Sequence, residues 1–152
     1  MSSKEMKDAQ ITKEQYAAEE QLLKGVPRVN LAALLIPPIW GPAHGIWMTI
    51  IFYPLWLVAD TCFVNAVAYQ TPLAIALAIL VFLILLAGTI AFAVVSQPFA
   101  LHRALEMGTS KQTYLRRQRI WALVGLAIGA AALAAATYYN LFTNPTLQGV
   151  LR

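Results

Sequence analysis

Charged side chains are almost absent from the middle of this chain. Between residue 31 and residue 101 the one charged residue is Asp60. A stretch of that length can hold two membrane crossings but offers hardly any aqueous surface. The composition agrees, because 59% of the 152 residues are hydrophobic and 12% are charged, against about 45–50% and about 25% in soluble domains. We therefore expect a membrane protein with one domain.

Three apolar segments are long enough to cross a bilayer as helices. They cover residues 46–66, 72–97 and 120–142, and about 20 apolar residues suffice to cross about 30 Å of hydrocarbon. A polar arm, residues 1–28, precedes them, and a polar loop, residues 98–119, separates the second from the third. The predicted fold is an all-α membrane protein with three transmembrane helices and, over residues 29–152, one transmembrane bundle.

Lysine and arginine are distributed unevenly around these segments. Five precede the first, none lies between the first and the second, five lie between the second and the third, and only Arg152 follows. Basic residues accumulate on the cytoplasmic side of membrane proteins. We therefore expect a multi-pass protein with a cytoplasmic N-terminus and an outside C-terminus. Because topology accounts for the basic residues, no nucleic-acid partner is expected.

Two short cytoplasmic helices are predicted from capping patterns. Thr12 with Gln15, and Thr109 with Gln112, match a box in which each side chain caps the other residue's backbone N–H. Gly108 suits the left-handed conformation that ends many helices, so we expect it to end an extension of the second span.

The stretch LIPPIWGPAHGIW, residues 35–47, interrupts the apolar sequence with prolines and glycines. Residues 29–43 are too few to span, and prolines break spanning helices. We expect this segment to lie in the inner interface or to enter the bilayer and return, with Trp40 and Trp47 at headgroup level. A ligand-binding re-entrant loop over residues 37–45 and a continuous kinked spanning helix are the alternatives.

The same stretch resembles the N-terminal signature of a group of small, uncharacterised bacterial inner-membrane proteins. The resemblance covers about 20 residues and departs from the group's pattern at Leu31 and Leu34. It implies a small bacterial membrane protein with a cytoplasmic N-terminus, and it implies no activity. The matching residues are Asn30, Ala32, Ala33, Ile39, Trp40, Gly41, His44 and Trp47.

Two histidines are candidates for a cofactor site. His44 precedes the first span and His102 follows the second, so both belong to the cytoplasmic end of an antiparallel pair of helices. Histidines on facing helices can bind a haem or a metal, and Glu106 lies one helical turn beyond His102. The alternative is that both are interfacial residues with local hydrogen bonds, and no metal or cofactor is then expected.

Asp60 is the candidate ion or proton site. Its position 14 residues after Ile46 corresponds to about 21 Å of helix rise, which predicts the outer third of the bilayer. Acids inside a membrane cost about 2.5–3.5 kcal/mol at its centre and are suspected functional residues. The alternative is an outer-interface residue or a contact to a partner.

Small residues form a stripe along the third span, and they recur at steps of three and four. Such stripes allow helix backbones to approach closely in lipid. They predict a helix-packing interface, either within the chain or with another protein. The residues are Ala122, Gly125, Gly129, Ala132 and Ala136.

No catalytic residues are predicted, because no nucleophile–base pair, phosphate loop or zinc cluster occurs. Three spans with few polar groups also make a poor independent pore. The predicted function is therefore a non-enzymatic accessory or structural subunit of a larger bacterial membrane complex, with protein subunits or further copies of itself as partners. The alternatives are a transport component or ion carrier that uses Asp60 and residues 37–45, and a haem- or quinone-binding electron-transfer subunit that uses His44 and His102.

Overall fold

A computed structural model of the protein describes the backbone of residues 3–151 and the side chains of residues 12–149. Within these limits the chain is entirely helical and contains no strand. The elements are α1 (Ser3–Leu23), α2 (Leu31–Leu35), α3 (Pro37–Ala43), a 3₁₀ turn (Trp47–Ile51), α4 (Phe52–Tyr69), α5 (Pro72–Glu106), α6 (Lys111–Phe142) and α7 (Pro145–Leu151).

Three helical segments are long and apolar enough to cross a membrane, which confirms the predicted all-α class and number of spans. They are Trp47–Tyr69, Pro72–Glu106 and Lys111–Phe142. Most of their large apolar side chains point outwards, for example Leu83, Ile84 and Leu133. Such a surface is stable only against lipid or another protein, because water would solvate it poorly.

Most of the segment predicted as a polar loop, residues 98–119, is helical, and it includes the predicted extension of the second span. α5 continues through Pro98 to Glu106, and α6 begins at Lys111. Pro98 lacks an N–H and its ring crowds the carbonyl of Val94. However, the residues after it (Ala100, Leu101, Ala104) are buried against the N-terminal half of the chain. This packing offsets the cost of the proline and keeps the helix intact. The segment that connects α5 and α6 is therefore only residues 107–110.

The two longest helices are longer than the hydrocarbon core of a bilayer is thick. The 35 residues of α5 correspond to about 52 Å of helix, whereas the hydrocarbon core is about 30 Å thick. We call the end of the bundle at residues 107–110 the linker end, and the end at residues 70–71 between α4 and α5 the hairpin end. About 20 residues cross the hydrocarbon core. Counted from the hairpin end, such a stretch runs from Pro72 to position 91 in α5 and from Phe142 back to position 123 in α6. We therefore expect the last turns of α5 and the first turns of α6 to lie at or beyond the membrane surface at the linker end.

Both predicted capping boxes are corrected. α1 begins at Ser3 rather than at Thr12, because the preceding residues are mostly good helix formers. The cap of α6 is Ser110, one residue after Thr109, and its Oγ accepts from the backbone N–H of Thr113 at 3.3 Å. The second predicted short helix is therefore the first part of α6. Only α1 is a separate polar helix.

The proline-rich segment forms two short helices, which excludes the continuous kinked helix. α2 ends at Leu35 with Ile36 as its C-cap, and Pro37 is the first residue of α3, where its missing N–H costs nothing. Both helices pack between α5 and α6 at the linker end. The side chain of Trp40 is completely buried within the protein and its indole N–H has a protein acceptor, whereas its depth in the bilayer stays a prediction. Trp47 is exposed.

The hairpin end is built from α4, α5 and α7. Gln70 takes a left-handed conformation (φ 50°) and Thr71 caps α5, so α4 and α5 form an antiparallel pair. Asn144 and Leu147 are buried where α7 folds back towards α4. α7 was not predicted, because residues 145–151 are too short and too mixed in polarity to show helical periodicity.

Candidate functional site

The best-buried part of the molecule lies at the linker end. Its apolar core includes Ala33, Trp40, Ala93 and Leu101, none of which is accessible to solvent. Six polar or aromatic side chains meet inside this core, and we call them the polar cluster: Asn30, Trp40, His44, Gln97, Tyr114 and Gln118. They come from the α2–α3 segment, from α5 and from α6, so the cluster joins three separate parts of the chain.

Asn30 connects the start of α2 to both long helices. Its Oδ1 accepts from the backbone N–H of Ala33 at 3.0 Å and thereby caps α2. Its Nδ2 donates to Oε1 of Gln97 at 2.6 Å and to Oε1 of Gln118 at 3.2 Å. Its backbone N–H donates to the carbonyl of Ala93 at 3.0 Å. One residue therefore fixes the register of α2 against α5 and α6.

Gln118 is the second centre of the polar cluster. Its Oε1 accepts from Nε1 of Trp40 at 3.0 Å as well as from Asn30. Its Nε2 lies 3.0 Å from Nε2 of His44. Since Trp40 and Asn30 can only donate at these positions, the amide oxygen must face them, and the amide N–H must face the histidine.

The contacts of His44 determine its protonation. Nδ1 lies 2.7 Å from the carbonyl oxygen of Trp40 and must donate, so Nε2 is left as the acceptor for Gln118. This is the neutral Nδ1–H tautomer. Burial lowers the pKa of His44 below its ordinary value of 6.5, and the nearby Arg103 guanidinium lowers it further. The imidazole also stacks on the Trp40 indole, with 4.0 Å between ring centroids.

Tyr114 completes the polar cluster from the start of α6. Its hydroxyl donates either to the carbonyl oxygen or to Oε1 of Gln97, each at 3.3 Å. No buried side-chain nitrogen or oxygen among the described residues lacks a hydrogen-bond partner. The cluster therefore holds α2 and α3 between the long helices and leaves no free nucleophile or base.

Two glycines permit the close packing around His44. A Cβ at Gly41 would overlap the side chain of Thr49, so glycine is required for the turn after α3 to fold back. Gly45 has a φ of +81°, and a Cβ there would overlap the guanidinium of Arg103. The backbone between α3 and the 3₁₀ turn thus lies directly against Arg103 of α5.

A small polar cavity adjoins the polar cluster. Its volume is about 240 Å³, and it lies between the end of α3, the last turns of α5 and the first turns of α6. Two arginines line it, Arg103 and Arg117, and no carboxylate does. A larger cavity, of about 940 Å³, lies between α1 and α5. Its lining is mainly apolar but also includes the charged residues Glu20, Lys24 and Arg28.

The two histidines predicted as cofactor ligands belong to different environments. Both nitrogens of His44 are engaged within the polar cluster. His102 is exposed and its Nε2 lies 2.8 Å from Oε2 of Glu19, which joins α5 to α1. No contact joins the two histidines, and residues 12–149 contain no group of three histidine, cysteine or acidic side chains that could hold a metal.

Asp60 lies closer to mid-span than predicted. It is exposed on α4, two residues beyond Val58, the middle of the segment Trp47–Tyr69. The expected outer-third position assumed a span that ends near residue 66, whereas α4 continues to Tyr69. The carboxylate of Asp60 makes no hydrogen bond or ion pair with another residue of the described chain, including residues 37–45.

The predicted small-residue stripe divides into two parts. Gly125 is buried, and a Cβ there would lie 3.2 Å from Cγ1 of Ile36, so this glycine receives the end of α2. A Cβ at Gly129 would meet nothing within 4 Å, and Ala132 and Ala136 are exposed. Ala122 is half-buried near α2. The stripe thus makes an internal contact at one end and has no partner at the other.

Sequence analysis missed Gln97, Tyr114 and Gln118. Gln97 and Gln118 were detectable in principle, since each is an uncharged polar residue at the edge of an apolar segment. Comparisons with protein-family models, with curated proteins and with solved structures found no match for this chain. The resemblance of residues 30–47 to small bacterial membrane proteins stays a prediction.

Proposed function

We propose that this protein is a non-enzymatic accessory or structural subunit of a bacterial inner-membrane assembly, and that it packs there through the far half of α6. We define the far half as residues 126–142. Every residue from 126 to 139 except the half-buried Gly129 is exposed. This exposure on all sides is the observation that carries the proposal.

The composition of the far half favours a protein partner over lipid. Residues 129–136 are GAAALAAA, whereas the exposed surface of α5 carries large side chains such as Leu80, Leu83 and Ile84. Lipid chains fill the space around large side chains equally well, but small residues gain most from the close approach of another helix. A partner helix would therefore contact backbone that lipid contacts poorly.

Asp60 supports the same proposal from a second helix. A lipid-facing carboxylate near mid-span is costly, and donors for it come from water, from backbone or from another chain. The described residues supply none. A partner that covers α6 and reaches α4 would provide a hydrogen-bond donor for the carboxylate. Assembly would then remove the free-energy cost of placing Asp60 in lipid.

The proposed orientation places the linker end in the cytoplasm. It rests on the five basic residues between positions 103 and 119 and on the absence of any between positions 29 and 102. At the inner surface, the hydrogen bonds of the polar cluster then hold α5 and α6 at a fixed angle. A fixed angle gives the far half of α6 a defined position for its partner.

An ion or proton carrier is the second candidate, and Asp60 is the observation that favours it. The substitution Asp60→Asn separates the two functions. A carrier would lose flux in reconstituted vesicles, whereas an assembly subunit would retain its partners and show no flux in either form.

The assembly is tested by Gly129→Leu in mild detergent, with Gly88→Leu as the matched control. Gly88 is also a helical glycine at which an added Cβ would meet nothing within 4 Å, but it lies on α5 among large side chains. We expect the wild type and Gly88→Leu to elute as one stoichiometric assembly in light scattering, and Gly129→Leu to elute as a monomer. A monomeric wild type, or an assembly that survives Gly129→Leu, would rule the proposal out.

A further inference from the structure

We propose that the cavity between α3, α5 and α6 binds a phosphate group, held by the guanidinium groups of Arg103 and Arg117. The proposal does not depend on the assembly described above, because it concerns a site within one chain. It rests on the charge, shape and depth of the cavity.

The charge of the cavity is uncompensated. Arg103 and Arg117 line the same space of about 240 Å³, and its lining contains no acid. Within residues 12–149 the one ion pair between two described side chains joins His102 to Glu19. Two guanidinium groups around one small cavity repel each other unless an anion lies between them. Planar guanidinium donors match the oxygens of a phosphate in a two-pronged geometry.

The cavity is held open by the packing of Arg103. The guanidinium lies against Gly45, whose positive φ and missing Cβ leave room for it. Both nitrogens of His44 are already engaged by Trp40 and Gln118, so the imidazole does not compete for the guanidinium. The contact with Gly45 therefore limits how far the Arg103 guanidinium must move to meet a ligand.

The size of the cavity selects a small group. Sites for whole small-molecule ligands usually measure roughly 300–1,000 Å³, and this cavity is smaller. A phosphate with a short attached alcohol fits the space, whereas a nucleotide would have to lie mostly outside it. The hydroxyl of Thr109 supplies a further donor at the rim.

The depth of the cavity favours a lipid headgroup as the source of the phosphate. Trp121 and Met107 line it beside the arginines, and Trp121 lies two residues before position 123, where the hydrocarbon part of α6 is expected to begin. Phosphates of the bilayer lie at this level, and tryptophan is enriched there. Basic pockets between transmembrane helices are suited to anionic lipid headgroups. Free phosphate is the other source with the same chemistry.

The test is a titration of the full-length protein in neutral detergent with phosphatidylglycerol, followed by native mass spectrometry. We expect one saturable lipid per chain. Arg103→Gln and Arg117→Gln should each weaken binding about tenfold, the effect of losing about 1.4 kcal/mol. Arg116→Gln is the matched control, because it removes the same charge from the same helix at a residue that does not line the cavity. It should change binding less than twofold.

Inorganic phosphate distinguishes the two sources. If the site is specific for the lipid, phosphate at the same concentrations neither binds nor displaces phosphatidylglycerol. If the source is soluble, phosphate binds saturably with the same dependence on Arg103 and Arg117. Arg117→Gln keeps the test valid should Arg103→Gln disturb the packing at Gly45. Equal losses in Arg116→Gln and Arg117→Gln, or no loss in Arg117→Gln, would overturn the proposal.

Discussion

The side-chain amide of Gln118 donates to Nε2 of His44 across 3.0 Å while its oxygen accepts from Trp40. Rotation of either side chain would break a hydrogen bond, because each residue fixes which atoms of the other donate and which accept. The pair joins the α2–α3 segment to α6 beside the small polar cavity, where Gln118 is buried and His44 is half-buried. The stability of the linker end therefore depends on a small number of polar atoms.

The first prediction concerns the removal of Gln118. Gln118→Ala leaves Trp40 Nε1 and His44 Nε2 without their partner and takes away one acceptor of Asn30. Each buried unsatisfied group costs about 1–3 kcal/mol, so we expect a loss of about 2–4 kcal/mol in the free energy of unfolding in detergent. Gln118→Met should lose a similar amount although it nearly conserves volume. The control Gln112→Ala, at an exposed position on the same helix, should change the free energy of unfolding by less than about 0.5 kcal/mol. A loss there equal to that in Gln118→Ala would refute the role of Gln118 in the polar cluster.

The second prediction concerns pH. The pKa of His44 is lowered in the folded protein from its ordinary value of 6.5, so the unfolded chain binds a proton at a higher pH than the folded chain. Stability from this residue is fully present above pH 6.5 and is lost as pH falls towards the lower folded pKa. Arg103 from α5 is the charged group that acts on the ring, and Arg117 from α6 lines the same cavity.

The measurement is the slope of unfolding free energy against pH below 6.5 in the wild type and in His44→Ala. The variant should be less stable at neutral pH and should lack this part of the slope. Gln118→Glu should reverse its sign, because a carboxylate beside Nε2 favours the protonated ring. An unchanged slope in His44→Ala would show that another group titrates.

The third prediction concerns Gly41. Gly41→Ala places a Cβ on the side chain of Thr49, and such overpacking typically costs about 1–3 kcal/mol. Thr49→Ala in the same chain should recover part of the loss, because it removes two of the three overlapping atoms. Gly88→Ala, with nothing within 4 Å, should be neutral or slightly stabilising. If Gly41→Ala unfolds thermally like Gly88→Ala, the close approach of Gly41 to the side chain of Thr49 is incorrect.

The sequence predicted the membrane class of this fold well and its inner packing poorly. Hydropathy alone located the three spans, since each needs only length and a lack of charge. The extension of the second span was predicted from Gly108, although Pro98 ordinarily signals a break. Contacts of Leu101 and Ala104 with distant residues keep α5 intact there, and no local pattern indicates them. The burial of Trp40 was not predicted for a related reason, since its indole N–H donates to Gln118, 78 residues later.

The candidate site was only partly visible in the sequence. His44, Asn30 and Gly41 belong to the recognisable stretch 30–47, and the structure places all three in or beside the polar cluster. Their partners Gln97, Tyr114 and Gln118 lie on other helices, and no local pattern indicates which polar residue a helix turns inwards. Pairing across 67 and 88 residues is decided by tertiary packing.

The fourth prediction concerns orientation. In a Cys62→Ser background, Ser110→Cys lies at the linker end and Gln70→Cys at the hairpin end, and both positions are exposed. A membrane-impermeant maleimide added to intact cells should label Gln70→Cys and leave Ser110→Cys unlabelled until the membrane is opened. The reverse pattern would invert the proposed topology. Labelling of both positions in intact cells would show that the segments between them do not span.

The central claim, that the far half of α6 contacts another protein, is tested most directly by photo-crosslinking in native membranes. A photoreactive amino acid at Ala136, on the exposed small-residue surface, is compared with the same group at Gly88 on α5. The account predicts one crosslinked product of defined mass from position 136 that Gly129→Leu abolishes, and lipid adducts alone from position 88. Lipid adducts alone from position 136 as well would contradict it.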